Sequence, residues 1–152
     1  MIAKIKKLRE KHVKGSYIRT INSNLTKKHI KFAKEGPSKK SKSHLINYIK
    51  NLPKNEHLYG VFMGDTHVAN FKFSEIKEKL YIGFLVLIEF QGKGMIKKIF
   101  PKVLKLTKIK FYNYKKLHLG VDTNNYRAIS LYKKLGFKYI SNSKRTMSLK
   151  LN

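Results

Sequence analysis

Tyr81-Ile82-Gly83-Phe84-Leu85-Val86-Leu87-Ile88-Glu89-Phe90-Gln91-Gly92-Lys93-Gly94-Met95-Ile96-Lys97 is the stretch on which the fold turns. From Tyr81 to Ile88 it is almost continuously apolar, the pattern of a strand buried on both faces, and far shorter than a membrane span. It then passes through Gln91, Gly92, Lys93 and Gly94 into a segment from Met95 to Tyr112. There Ile96, Ile99, Phe100, Val103, Leu104 and Ile109 fall near one helical face, with a kink expected at Pro101. The first amides of such a helix lack intrahelical partners and point back at the turn. Glycine lets a ligand approach the backbone, Lys93, Lys97 and Lys98 add cations, and the helix dipole adds about half a positive charge, so the turn reads as an anion site. Its spacing is neither the Walker pattern nor the three-glycine dinucleotide pattern.

Upstream, Leu58 to Met63 and His67 to Phe73 read as a hairpin about Gly64 and Asp65. In its second strand Asn70 and Lys72 share one face and Phe71 and Phe73 the other. Earlier still, Met1 to Leu8 reads as a first strand and Tyr17 to Ala33 as helix and turn. Gly36, Pro37 and Ser38 break the chain ahead of a loop from Lys39 to Ser43. Leu45, Ile46, Tyr48, Ile49 and Leu52 then recur at helical spacing until Pro53. Downstream, Leu117, Leu119 and Val121 alternate with His118, Gly120 and Asp122 in a strand. Asn125 to Leu135 is a helix closed by Gly136, and Phe137 to Ile140 and Thr146 to Leu151 are final strands. The length of 152 residues suits one domain, residues 1–152.

Composition narrows the chemistry. The absence of cysteine removes disulfides, thiolate zinc sites and cysteine nucleophiles, and fits a cytoplasmic protein. No metal is expected, and no signal-peptide run opens the chain. The formal net charge of +27 is mostly lysine spread over the whole length, since only Arg9, Arg19, Arg127 and Arg145 are arginine. Such a surface favours anionic ligands without forming a nucleic-acid stripe, and no glycine-aromatic RNA motif accompanies it.

Two segments carry a family resemblance. Gln91 to Lys97 resembles the Q/R-x-x-G-x-G/A signature of GNAT acetyltransferases, with Ile96 where glycine or alanine is usual. Asn124-Asn125-Tyr126-Arg127-Ala128-Ile129-Ser130-Leu131-Tyr132-Lys133-Lys134-Leu135-Gly136-Phe137 is similar to that family's N-x-x-A-x-x-L-Y-x-x-x-G-F segment. They stand in the family's order and spacing, and the resemblance covers Leu58 to Ile140. It implies an α/β (α+β) fold: a mixed, mostly antiparallel sheet of about six to seven strands with about four helices, splayed between two central strands. It also implies that acetyl-CoA is the cosubstrate. Main-chain groups of Phe84, Leu85 and Val86 would pair with its acetyl and pantetheine arm. Gln91, Gly92, Lys93, Gly94, Met95, Ile96 and Lys97 would wrap its pyrophosphate, Asn125 would hydrogen-bond the arm, and Tyr132 would face the sulfur as proton donor.

No single residue stands out as the base. Many relatives place a glutamate where this chain has Gly120; His118 and Asp122 share that strand face, and His67, Glu75 and Glu89 are further candidates. A missing glutamate favours a weakly basic amine, because an amine of pKa near 10.4 costs roughly 4 to 5 kcal/mol to neutralise at pH 7 and one near 8 only about 1 to 1.5. His67-Val68-Ala69-Asn70-Phe71-Lys72 is also similar to the H-[IV]-G-N-x-K strand of a branch that acetylates nucleotide-linked amino sugars. That implies an anionic, amine-bearing substrate met by Asn70 and Lys72. Other readings are a protein α-amine or another small amine as acceptor, and, in a different class, a noncatalytic RNA-binding module. Pairing of two copies as a homodimer is compatible with the resemblance.

Overall fold

The structure, a computed structural model, describes residues 2–25 and 42–152, the side chains of 22–25 excepted. Its elements are β1 (Ala3–Lys7), α1 (Gly15–Leu25), α2 (Lys42–Lys50), β2 (Glu56–Met63), β3 (Thr66–Ile76), β4 (Lys79–Val86), α3 (Met95–Lys110), β5 (Lys116–Gly120), α4 (Tyr126–Lys134), β6 (Lys138–Tyr139) and β7 (Thr146–Lys150). The expected breaker at Gly36 to Ser38, and the expected helix and turn beyond Leu25, lie outside the described residues. Lys42 and Ser43, expected in a loop, instead open α2.

The strands form one seven-stranded sheet in the order β1-β2-β3-β4-β5-β7-β6. All neighbours are antiparallel except β4 and β5. The β2–β3 hairpin closes on Gly64 and Asp65, as their glycine-containing pair predicts. Val61 faces Ala69 while Phe62 faces His67, so Val68 is an extra residue in a bulge.

The two faces have separate cores. On one, Phe71, Phe73, Leu80, Ile82, Leu117, Leu119 and Met147 pack beneath α3, through Ile99, Phe100 and Val103. Ala128, Ile129, Tyr132 and Leu135 of α4 pack against the same cluster. On the other face Leu8, Leu58 and Phe62 meet Tyr17 of α1 and Leu45 of α2. Alternation along each strand assigns the faces: Phe71 and Phe73 lie in the first core, and Asn70 and Lys72 point toward the second side.

One expectation is corrected here. β4 is not buried on both faces: Gly83 is exposed and Phe84, Leu85 and Val86 are half-buried. The run also stops being a strand at Val86, because Ile88–Phe90 form a single 3-10 turn that carries the chain to the glycines. The reason lies in β5, which pairs with β4 at only two positions and then leaves it. Among the described residues no helix is long and apolar enough to cross a membrane.

The β3–β4 turn is built from the wrong residues for its shape. Ile76 pairs with Lys79, and the two residues between, Lys77 and Glu78, both have positive φ, 48° and 64°. Neither is a residue that takes this region readily. Replacing them by Asn-Gly (Lys77→Asn with Glu78→Gly) should raise the unfolding free energy by about 1 kcal/mol in urea titrations; a loss of stability would show the turn geometry to be misread.

Candidate active site

β4 and β5 run parallel and are paired at Leu80–Leu117 and Tyr81–His118 only. Beyond Tyr81, β4 continues to Val86 held by β3 alone, while β5 is held by β7. A wedge opens between them. Leu87 donates its N–H to Val68 O at 3.0 Å, and Leu85 opposes Asn70 in the same register. The alternation of antiparallel bonds therefore turns the main-chain groups of Leu85 toward β3 and those of Phe84 and Val86 into the wedge. Of the three residues expected to offer main-chain groups, Leu85 is thus the one already paired. Val86 O is occupied too, by Gln91 Nε2 at 2.9 Å.

The glycine turn stands at the wide end of the wedge. Gly92 and Gly94 have φ of 74° and 68°, and a Cβ at either would meet no protein atom within 4 Å. The glycines are needed for backbone conformation and leave open space in front of it. Gly94 precedes α3, whose N-terminus has no side-chain cap, and the helical ladder starts with Lys98 N–H to Gly94 O. The amides of Met95, Ile96 and Lys97 come before that bond. They border a cavity of about 530 Å³ lined by Val86, Gln91, Gly92, Gly94, Met95, Ile96 and Lys97, and by Asn125, Arg127 and Lys134 of α4. Lys93, expected at the same site, instead lies over the Phe90 ring, 5.9 Å from its centre. Arg127 and Lys134 were missed by sequence reasoning; with Leu131 between them they recur at helical spacing on one face of α4, which was the available signal.

Asn125 is the N-cap of α4, its Oδ1 accepting from Ala128 N–H at 3.2 Å. Beside it a second cavity, about 430 Å³, is lined by Gly120, Asp122, Asn125 and Tyr132. Tyr132 packs edge-on against Phe137, and burial pushes its phenol pKa upward, which keeps the hydroxyl protonated and able to donate. Asp122 is exposed at the rim. A Cβ on Gly120 would meet only Arg145 O, at 3.9 Å, so the position at which the resemblance leads one to expect a carboxylate is open. His118 is elsewhere: 7% exposed, beside the Tyr81 ring at the closed end of the wedge, and lining neither cavity.

A third cavity, about 400 Å³, lies on the opposite face between α1, α2, β3 and β4. Tyr17, Leu45, Tyr48, Leu58, Phe71 and Phe84 line it, with Asn70 and Lys72 on its wall. Asn70 is 2% exposed; its Oδ1 meets His67 Nε2, and its Nδ2 has no hydrogen-bond partner among the described residues. Lys72 is paired with Glu56 at 3.1 Å and approaches the Tyr48 hydroxyl at 3.4 Å. Burial would lower its pKa, but these partners more than offset that and hold it above its ordinary value. Lys72, expected to meet an anionic substrate, thus lines the cavity with Glu56 as its counterion.

The other candidate bases have partners of their own. Glu89 accepts from Ser16 and Arg19, which hold its carboxyl at about 2. Glu75 is bonded by His57 and Tyr114, which lower its pKa. Burial lowers the pKa of His67, against the opposing pull of Asn70. Among the described residues no group of three acids, histidines or cysteines could hold a metal ion.

The profile of the Acetyltransferase (GNAT) family matches residues 24–137. No curated relative matches in sequence. Among solved structures, an N-acetyltransferase from Staphylococcus aureus Mu50 superposes with TM-score 0.74 at 16% identity, covering 100% of both chains. Spermidine N-acetyltransferase from Vibrio cholerae in complex with CoA and spermine gives 0.71 at 19% identity, covering 98% of this chain and 95% of that one. PaiA N-acetyltransferase from Thermoplasma acidophilum in complex with coenzyme A gives 0.69 at 22%, covering 99% of each.

Two outcomes follow from this geometry. Gly94→Ala should cost about 1–2 kcal/mol of stability from its left-handed backbone, read by chemical denaturation. Burial lowers the pKa of His67 and His118 below their ordinary 6.5. The unfolded chain thus binds their protons first as pH falls, and stability present above 6.5 is lost as pH drops through the folded values. The melting temperature should fall between about pH 7.5 and about pH 5.5, and less steeply in His118→Gln.

Proposed function

The chain belongs to the acetyltransferase (GNAT) family, and from that premise we propose that it transfers the acetyl group of acetyl-CoA to the primary amine of a small molecule seated between α1, α2 and the sheet. The observation that carries this is the wedge: β4–β5 pairing ends at Tyr81–His118, and the uncapped start of α3 faces its wide end. The noncatalytic RNA-binding reading is set aside by membership of an enzyme family.

The residues present suit the coenzyme. The open space before Gly92 and Gly94, the amides of Met95 to Lys97, and the Arg127 and Lys134 cations would hold a pyrophosphate. When bound, acetyl-CoA supplies an acyl group already activated as a thioester. Phe84 and Val86 would orient it through the main-chain groups they turn into the wedge. Tyr132 would hold its proton at Oη for the departing sulfur, a role best described as hydrogen-bond stabilisation because a phenol is a weaker acid than a thiol by about 1.5 pKa units.

For the attacking amine, the supply of acids is short. The described carboxylates Glu56, Glu75 and Glu89 are each bound to a partner, Glu10 pairs with Lys50, and Asp65 and Glu78 lie in hairpin turns. Asp122 is the one that lines the Tyr132 cavity, and we assign it the removal of the amine proton through water. His118, buried at the closed end, is left without a reacting role.

The solved spermidine acetyltransferases of the same fold support a small amine as acceptor. The amino sugar nucleotide suggested by the His67 to Lys72 strand keeps Asn70 on the pocket wall but loses Lys72 to Glu56. A protein α-amine is the second reading, favoured by the absence of a carboxylate at Gly120, which suits a weakly basic amine.

Tyr132→Phe should lower kcat about 100-fold while acetyl-CoA affinity, measured by calorimetry, barely changes. Full turnover by that variant would remove the proton-donor assignment.

A further inference from the structure

Asn70 is the most informative side chain outside the coenzyme groove. It is 2% exposed, it lines the 400 Å³ cavity, and its Nδ2 has no hydrogen-bond partner among the described residues. A buried N–H donor of this kind calls for an acceptor. Its Oδ1 is engaged by His67, so the NH2 is the group left for the cavity. Around it the wall is mostly apolar, formed by Ile21, Leu45, Leu58 and Leu85, with His44 and the rings of Tyr17 and Tyr48 beside them. The lining contains no carboxylate among the described residues, and the cation on the wall, Lys72, has its counterion in Glu56.

These features sort the acceptors. A polyamine would bring a second ammonium into a pocket that, among the described residues, offers it no anion and one lysine, in a chain of net charge +27. A sugar would bring several hydroxyls to a wall whose polar groups are few, two of which, Lys72 and Tyr48, already meet each other. A single apolar body with one oxygen fits both the walls and Asn70. The chemistry adds an independent constraint. With no carboxylate at Gly120, an amine of low basicity reacts more readily; at pH 7 an α-amine near pKa 8 holds roughly 250-fold more free base than an alkylamine near 10.4. A carbonyl beside the amine supplies the low basicity and the oxygen together.

We propose that the acceptor is a primary amine α to a carbonyl, borne on an apolar body and without a second cationic group, with Asn70 donating its amide N–H to that carbonyl oxygen. This rests on the acetyl-transfer reading. Asn70 thereby acts as a specificity-determining residue. The same chemistry occurs in a free amino-acid amide and at a chain terminus.

The test is a thiol-release assay with phenylalaninamide, a tripeptide beginning with phenylalanine, phenylethylamine, spermidine and a nucleotide-linked amino sugar. Values of kcat/KM are expressed for the neutral amine, so that basicity does not enter the comparison. Phenylalaninamide should exceed phenylethylamine about tenfold, the worth of one hydrogen bond to a buried donor. Spermidine and the sugar nucleotide should be at least about 100-fold poorer than phenylalaninamide. Asn70→Leu should erase the gap between the first pair by raising KM for the amide about tenfold while phenylethylamine is little affected. A tripeptide matching the free amide would assign the site to chain termini.

Preference for spermidine or the sugar nucleotide overturns the proposal, as does equal loss on both monoamines in a variant whose circular dichroism is unchanged. If Asn70→Leu does not fold, the wild-type ranking alone decides. Silence toward every monoamine while coenzyme A binds by calorimetry overturns this inference and leaves the family reading standing; absence of coenzyme binding sinks both.

Discussion

Two paired positions between β4 and β5 are the constraint on which the rest of this molecule depends. Each strand is tied on its outer side to an antiparallel neighbour, β4 to β3 along its whole length and β5 to β7. Sheet twist rotates successive strands against one another, and with no further bonds across the pair the two halves part. An unpaired strand interior would ordinarily be costly, because main-chain N–H and C=O groups need partners. Here part of that need is met internally, by Gln91 on Val86 O, and the remaining groups of Phe84 and Val86 are left for a ligand.

The opening can persist because the two halves are joined by side-chain packing and not by further bonds across the pair. One core, built on Phe71, Phe73, Leu117 and Met147, spans both halves beneath α3 and α4. The other, around Leu8, Leu58 and Tyr17, ties α1 and α2 to the first strands. The wedge is thus bounded by packed layers, with the groove we propose for the coenzyme at its wide end and the proposed acceptor cavity on the α1 and α2 side. Phe84 and Leu85 divide the two settings: Leu85 opposes Asn70 and packs with the core on the cavity side, while Phe84 packs against Phe71 and turns its main chain into the wedge.

Charge shapes the site by scarcity. The chain has 8 acidic residues against 35 basic ones. Those acids that do occur near the sheet pair with Lys72, His57 or Arg19, which fixes side chains without providing a base. Tyr132, made a weaker acid by burial, and Asp122, exposed at the rim, are what the reacting region retains. A site so constituted suits an amine that loses its proton easily.

Local signals in the sequence carried a good deal of this. The apolar run from Tyr81 into Gly92 and Gly94, the Asn125 cap, the stop at Gly136 and the shared face of Asn70 and Lys72 are all set by neighbours within a few residues, where backbone preference and strand or helix period decide. What the period could not supply was the identity of whatever stands opposite. Glu56 reaches Lys72 across a hairpin, Leu85 turns its amide to Asn70, and β5 abandons β4 after Tyr81. His118 became a buried residue beside Tyr81, and Arg127 and Lys134 joined the groove, because these outcomes depend on how distant segments pack. The sequence alone determined the turn, the caps and the faces; tertiary structure decided which polar groups were already taken and which were left to act, since that is a property of pairs and not of single positions.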